Sequence, residues 1–182
     1  MDERQKVFGI GFHKTGTKSL RKALEILDYS VCGPVGTRDP DIAKSAYDIA
    51  LNYAGRFDAV QDNPFPPLFR ELDAAFPGSK FILTTEEVDV WIARAVRYFN
   101  EQETPMRRWI YGVGSPVGNE ETYRARFVRH NDEVRTYFAS RPHDLLDWPL
   151  TKRPGWEPLC GFLECDIPDD VDFPHENKGL RS

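Results

Sequence analysis

A chain of 182 residues with 40% hydrophobic and 29% charged side chains has the composition of a globular protein and not of a disordered one, and it reads as a single domain over 1–182. Its net charge of −5 argues against a nucleic-acid binder, which carries a basic face, but leaves room for a small anion held by a few local cations. No apolar run approaches the roughly 20 residues that span a bilayer. MDERQK leads straight towards a strand with no signal peptide to read, so a cytoplasmic protein without membrane association is expected.

Residues 6–11, KVFGIG, read as a buried strand ending in glycine. Leu20, Ala23, Leu24 and Leu27 then form the apolar stripe of a helix, with Lys18, Arg21, Lys22 and Glu25 off it. A short strand over 29–32 precedes the loop GPVGTRDP, and Asp39 or Asp41 caps a helix to about Ala54. Residues 57–61 form the next strand, and the prolines of 63–67 open a helix that PGS ends near Phe76.

The clearest strand is 80–85, KFILTT, followed by a helix from about Glu87 to Phe99 whose start is acidic. Residues 104–119, punctuated by proline and glycine, read as irregular. An amphipathic helix over 120–139 carries Tyr123, Phe127, Val134, Tyr137 and Phe138. A final strand over 143–147 and a helix with Trp156, Leu159, Cys160 and Leu163 complete the chain. This alternation predicts an α/β fold, a parallel sheet with helices on its faces. The three cysteines form no CxxC pair and no ligand spacing with the four histidines, so reduced thiols and no metal are expected, with Cys160 in the core.

The chemistry is concentrated in residues 7–20, VFGIGFHKTGTKSL. A strand that runs through a glycine-bearing loop into a helix presents free N–H groups and the positive helix end, which suits a phosphate. Gly16 permits a tight turn, Lys14 and Lys18 supply positive charge, and Thr15, Thr17 and Ser19 add hydroxyl donors. The Walker A pattern GxxxxGK[ST] would need lysine directly after Gly16, where Thr17 stands. The lysine lies inside the loop instead. From there Lys14 reaches a 5′-phosphate and its leaving-group oxygen without a Mg²⁺ site.

On these residues the chain resembles the sulfotransferases that use 3′-phosphoadenylyl sulfate (PAPS), whose 5′-phosphosulfate loop reads approximately PKTGTx[ST]L, against HKTGTKSL at 13–20. It is most similar to the small bacterial and fungal members that begin GxxKTGTxSL. The resemblance continues through FDAVQDNPFPPL at 57–68, LDAAFPGSKFILTT at 72–85, HNDEVRTYF at 130–138 and WEPLCGFLECDIPDDVDFPHEN at 156–177. It implies a three-layer, P-loop nucleoside triphosphate hydrolase-like fold, PAPS as co-substrate with PAP as product, no metal, and a small-molecule acceptor. It further implies that Lys14 stabilises charge on the bridging oxygen, while Thr15, Gly16, Thr17, Lys18 and Ser19 hold the 5′-phosphate.

The resemblance breaks at the second donor signature. The family has an arginine at the end of the strand and a serine eight residues on, both on the 3′-phosphate; here those positions are Glu86 and Arg94. Either Arg94 reaches the 3′-phosphate with Glu86 steadying its guanidinium, or the 3′-phosphate is not recognised. Lys178, in the terminal FPHENK segment, is a further expected donor contact. For the base that takes the acceptor proton, Asp62 at the carboxyl end of the 57–61 strand is the first candidate and His13, beside Lys14, the second. Trp109, Tyr111 and Phe99 suit either an acceptor pocket or core packing. His130 faces either the cleft or solvent. Besides a sulfotransferase, the sequence admits a P-loop kinase-like enzyme or a catalytically degenerate sulfotransferase-like binding protein.

Overall fold

The structure, a computed structural model, describes residues 5–175. Five strands form one sheet in the order β2-β3-β1-β4-β5: β1 (Val7–Gly9), β2 (Val31–Cys32), β3 (Ala59–Gln61), β4 (Lys80–Thr84) and β5 (Leu145–Trp148). All four pairings are parallel, with Phe8 opposite Val60 on one side and Phe81 on the other. Parallel strands need crossovers, and the helices supply them: α1 (Thr17–Ile26), α2 (Ile42–Ala54), α3 (Phe69–Ala75), α4 (Val88–Phe99), α5 (Pro105–Tyr111), α6 (Glu120–Phe138) and α7 (Trp156–Leu163).

The strand period of two divides the core into two layers. Phe8, Val60, Phe81 and Leu83 face α2 to α6, where Trp91, Tyr123, Phe127 and Phe138 are buried. Val7, Ala59 and Ile82 face the other way, against Leu20, Ala23 and Leu24 of α1 and Trp156, Leu159 and Cys160 of α7. The result is the expected three-layer, P-loop-like α/β fold. Among the described residues no helix is long and apolar enough to cross a membrane.

One stretch departs from expectation. Residues 105–111 are helical, not irregular. Thr104 Oγ1 accepts the Arg107 N–H at 3.2 Å, Pro105 occupies the first turn, and Gly112 ends the helix at φ 79°. Proline and glycine here mark the two ends of a helix.

Candidate active site

The loop between β1 and α1 stands at the carboxyl ends of the central strands, where ligands of open parallel sheets bind. Gly11 is required by close approach, because a Cβ there would lie 2.1 Å from Thr84 Oγ1. Gly16 caps α1 at φ 103°, a left-handed conformation that glycine adopts without steric penalty. A Cβ on Gly16 would also meet Leu150 Cδ2 at 2.9 Å, so the segment after β5 lies against the turn. The first intrahelical bond is Leu20 N–H to the Gly16 carbonyl, at 3.0 Å. The N–H groups of Thr17 and Lys18 precede it in the first turn, where a helix supplies no acceptor of its own.

Lys14 and Asp62 both have left-handed backbones, at φ 66° and 62°, and follow the adjacent strands β1 and β3. Such conformations cost about 1 kcal/mol or more outside glycine and cluster at functional sites. Asp62 Oδ1 accepts the Asn63 N–H at 2.8 Å and Oδ2 the Thr17 hydroxyl at 3.3 Å. Burial raises its carboxyl above the usual value, against the opposing pull of those two bonds and of Lys14. The Lys14 ammonium lies 3.4 Å from the centroid of the Tyr98 ring. Burial and the neighbouring charges of Lys18 and Arg94 lower its pKa, while Asp62 raises it. The fold thus brings Lys14, Thr17, Lys18, Asp62 and Arg94 into one electrostatic neighbourhood.

Two expected site residues, the hydroxyl donor Thr15 and the candidate base His13, are placed otherwise. The Thr15 side chain is fully buried; its hydroxyl donates to the Phe12 carbonyl at 2.6 Å and shares a second 2.6 Å bond with Thr84 Oγ1. Thr15 therefore offers a ligand its main chain and not its hydroxyl. His13 is not an exposed loop histidine: it is 5% exposed, stacked on Trp91 and edge-on to Phe99 and Tyr111, with Nε2 3.2 Å from the Tyr111 hydroxyl. Burial, with Arg107 and Lys14 nearby, lowers its pKa to about 3 and keeps the ring neutral. Tyr111 and Phe99 form the wall behind the loop, and Trp109 is half-buried against the same core.

At the end of β4 the acid does not face outward. The Glu86 side chain is 2% exposed, and its Oε2 accepts Arg94 Nη1 at 2.6 Å and also the Thr151 hydroxyl. Its Oε1 accepts the Glu87 N–H at 3.0 Å. Arg94 stays 43% exposed and held. A cleft of about 300 Å³ adjoins this group, lined by Thr85, Glu86, Asn131, Pro149 and Lys152 among others. No local pattern points to Thr151, which lies 65 residues from its partner. Tyr98 had one available signal, its place four residues after Arg94 on the same helical face. Lys178 lies outside the described residues. Among the described residues no three histidine, cysteine, aspartate or glutamate side chains converge as a metal-binding group.

The strand order, the glycine turn and the lysine-bearing loop define a P-loop-like α/β protein. The sequence profile of the sulfotransferase domain matches residues 6–117 and 94–181, and the chain belongs to that family. It is also 29% identical over 148 residues to Ava biosynthesis cluster protein M of Aspergillus versicolor, covering 66% of this chain and 54% of that protein. The chain therefore spans about half the length of this curated relative.

Proposed function

We propose that this chain transfers a sulfuryl group from PAPS to a hydroxyl or amine of a small acceptor and releases PAP. The observation that supports this most is the placement of Lys14, inside the loop in a left-handed backbone, near Asp62, which has the same conformation directly after the adjacent strand β3. The N–H groups ahead of Leu20, together with Lys14, Lys18 and Arg94, fit a multiply charged anion.

In this reading the acceptor's lone pair attacks sulfur, and the bond from sulfur to the phosphate oxygen breaks with its electrons going to PAP. Lys14 offsets the charge that grows on that oxygen. Thr15, Gly16, Thr17, Lys18 and Ser19 hold the 5′-phosphate, Thr15 through its main chain. Asp62 takes the acceptor proton, a role suited to a carboxyl raised above its ordinary range. His13, neutral and enclosed in aromatic rings, serves as the wall that shapes the loop, and Asp62 is preferred as base.

Arg94, oriented by Glu86 and Thr151, is the cation for the 3′-phosphate. Lys178 remains a proposed further contact. The buried Glu86 carboxylate also favours a second reading, a degenerate relative that binds a nucleotide without using its 3′-phosphate. A kinase-like enzyme is disfavoured by Thr17 in place of the lysine after Gly16.

Titration calorimetry with PAP and with AMP tests the assignment. Binding of PAP at least tenfold tighter than AMP supports it. Equal affinities favour the degenerate reading, and failure of the wild type to bind PAP sinks the sulfotransferase proposal. Mg²⁺-dependent ATP binding favours the kinase-like alternative.

A further inference from the structure

Three carbonyls at the start of the phosphate loop are tied to side chains. The Ile10 carbonyl accepts His130 Nε2–H at 2.7 Å, the Phe12 carbonyl the Thr15 hydroxyl at 2.6 Å, and the His13 carbonyl Trp91 Nε1–H at 2.8 Å. In a trans peptide the C=O of one residue and the N–H of the next point opposite ways across one plane. Tying the Ile10 and His13 carbonyls to the interior therefore turns the N–H groups of Gly11 and Lys14 away from it, as an anion site requires. Two of the three donors come from distant helices, α6 and α4.

His130 is the informative member. It is 0% exposed, stacked on Phe12 at 4.2 Å with an interplanar angle of 6°, and edge-on to Phe69. A carbonyl only accepts, so the proton is on Nε2 and the ring is the neutral Nε2–H tautomer. Its Nδ1 is buried with no hydrogen-bond partner among the described residues. A buried unsatisfied nitrogen costs about 1–3 kcal/mol, a penalty that leucine or phenylalanine would fill the same space without incurring. Packing alone does not account for a histidine here; the bond to Ile10 does.

We propose that His130 is a positioning residue, which acts on the anion-binding loop at 11–19 by fixing the Ile10 carbonyl and so the direction of the Gly11 N–H at the loop's entry. This rests on the reading of the loop as an anion site, but not on the identity of the donor.

The test combines ¹⁵N NMR and calorimetry on the wild type, His130→Gln and His130→Leu. Glutamine carries an amide donor at similar reach, and leucine carries none. We expect the wild-type ring to be the Nε2–H tautomer and to stay neutral between about pH 5 and 8, because burial lowers its pKa from 6.5 to about 3. The amide resonances of residues 11–19 should move or broaden in His130→Leu, while those of β4 hold. PAP affinity should fall roughly tenfold in His130→Leu and stay within about threefold of wild type in His130→Gln.

A wild-type ring protonated on Nδ1, or charging near pH 6.5, overturns the proposal. So do loop amides in His130→Leu that superpose on those of the wild type. If His130→Leu does not fold, the wild-type tautomer and the loop amides of His130→Gln, which must match the wild type, decide it. A wild type that does not bind PAP removes the donor assignment, and the NMR measurements still decide the role of His130.

Discussion

The Lys14 ammonium sits 3.4 Å from the centroid of the Tyr98 ring, so the loop lysine is held by a face of α4 that also carries Arg94 one turn earlier. A cation over an aromatic face gains about 0.5–1 kcal/mol at an exposed site. This contact favours the charged lysine against the burial and neighbouring cations that lower its pKa. Tyr98→Ala should therefore lower the Lys14 pKa further, whereas Tyr98→Phe should leave it close to wild type. Carbon NMR of labelled lysine reads both variants, and an identical titration in all three proteins would show that the ring does not hold the charge.

The second relationship is the held guanidinium of Arg94. A charge-assisted bond to a ligand is worth about 1.5–3 kcal/mol, so Arg94→Ala should weaken PAP binding by roughly tenfold or more. Arg97 is exposed one turn further along the same helix, whereas Glu86 holds Arg94 and the cations acting on Lys14 are Lys18 and Arg94, so Arg97→Ala should change affinity less than twofold. Equal effects of the two substitutions in calorimetry would refute the idea that the Glu86–Arg94 exchange preserves the site.

The sheet and most helices were legible because their signals are local. KFILTT reads as a buried strand, and Leu20, Ala23 and Leu24 mark the buried face of α1. Helix α5 is not legible because Pro105 and Gly112 read as loop formers, although each stands at a helix end that favours it, with Thr104 as the cap. The loop's turn into a helix was legible from Gly16 and the apolar stripe that follows. Its internal bonding was not, since a threonine reads alike whether its hydroxyl meets a ligand or the Phe12 carbonyl. The burial of His13 depends on Trp91, Phe99 and Tyr111, which are distant in sequence, and periodicity carries no information about such contacts. The inward turn of Glu86 similarly depends on Thr151.

Asp62 predicts an exchange between stability and activity. Burial raises its carboxyl in the folded protein above the ordinary 3.8, so the native state holds a proton more readily than the unfolded chain. Its contribution to stability is fully present below the unfolded value and is lost as pH rises through the raised folded value. Asp62→Asn should thus be more stable than wild type at pH 7 in urea denaturation, with the difference fading by about pH 3. The same substitution should lower kcat by roughly 10²–10⁴ for an acceptor whose proton the carboxylate removes. An asparagine variant that is both less stable at neutral pH and fully active would remove Asp62 from the site.

The two buried histidines predict acid sensitivity with the opposite sign. Burial lowers the pKa of His13 and of His130 from 6.5 to about 3. Between those values the unfolded chain binds protons that the native state refuses, so stability falls as pH falls from 6.5 towards 3. Each histidine should contribute a loss of about 2 kcal/mol between pH 7 and pH 5, given an unfolded value near 6.5. Asp62, where it titrates in the same window, opposes this with at most one proton against two. Urea unfolding at the two pH values should show the loss, and His130→Gln should remove about half of it, because glutamine does not titrate. A wild type equally stable at pH 7 and pH 5 would mean that at least one of these rings accepts its proton in the folded state, and the His130→Gln comparison would identify which.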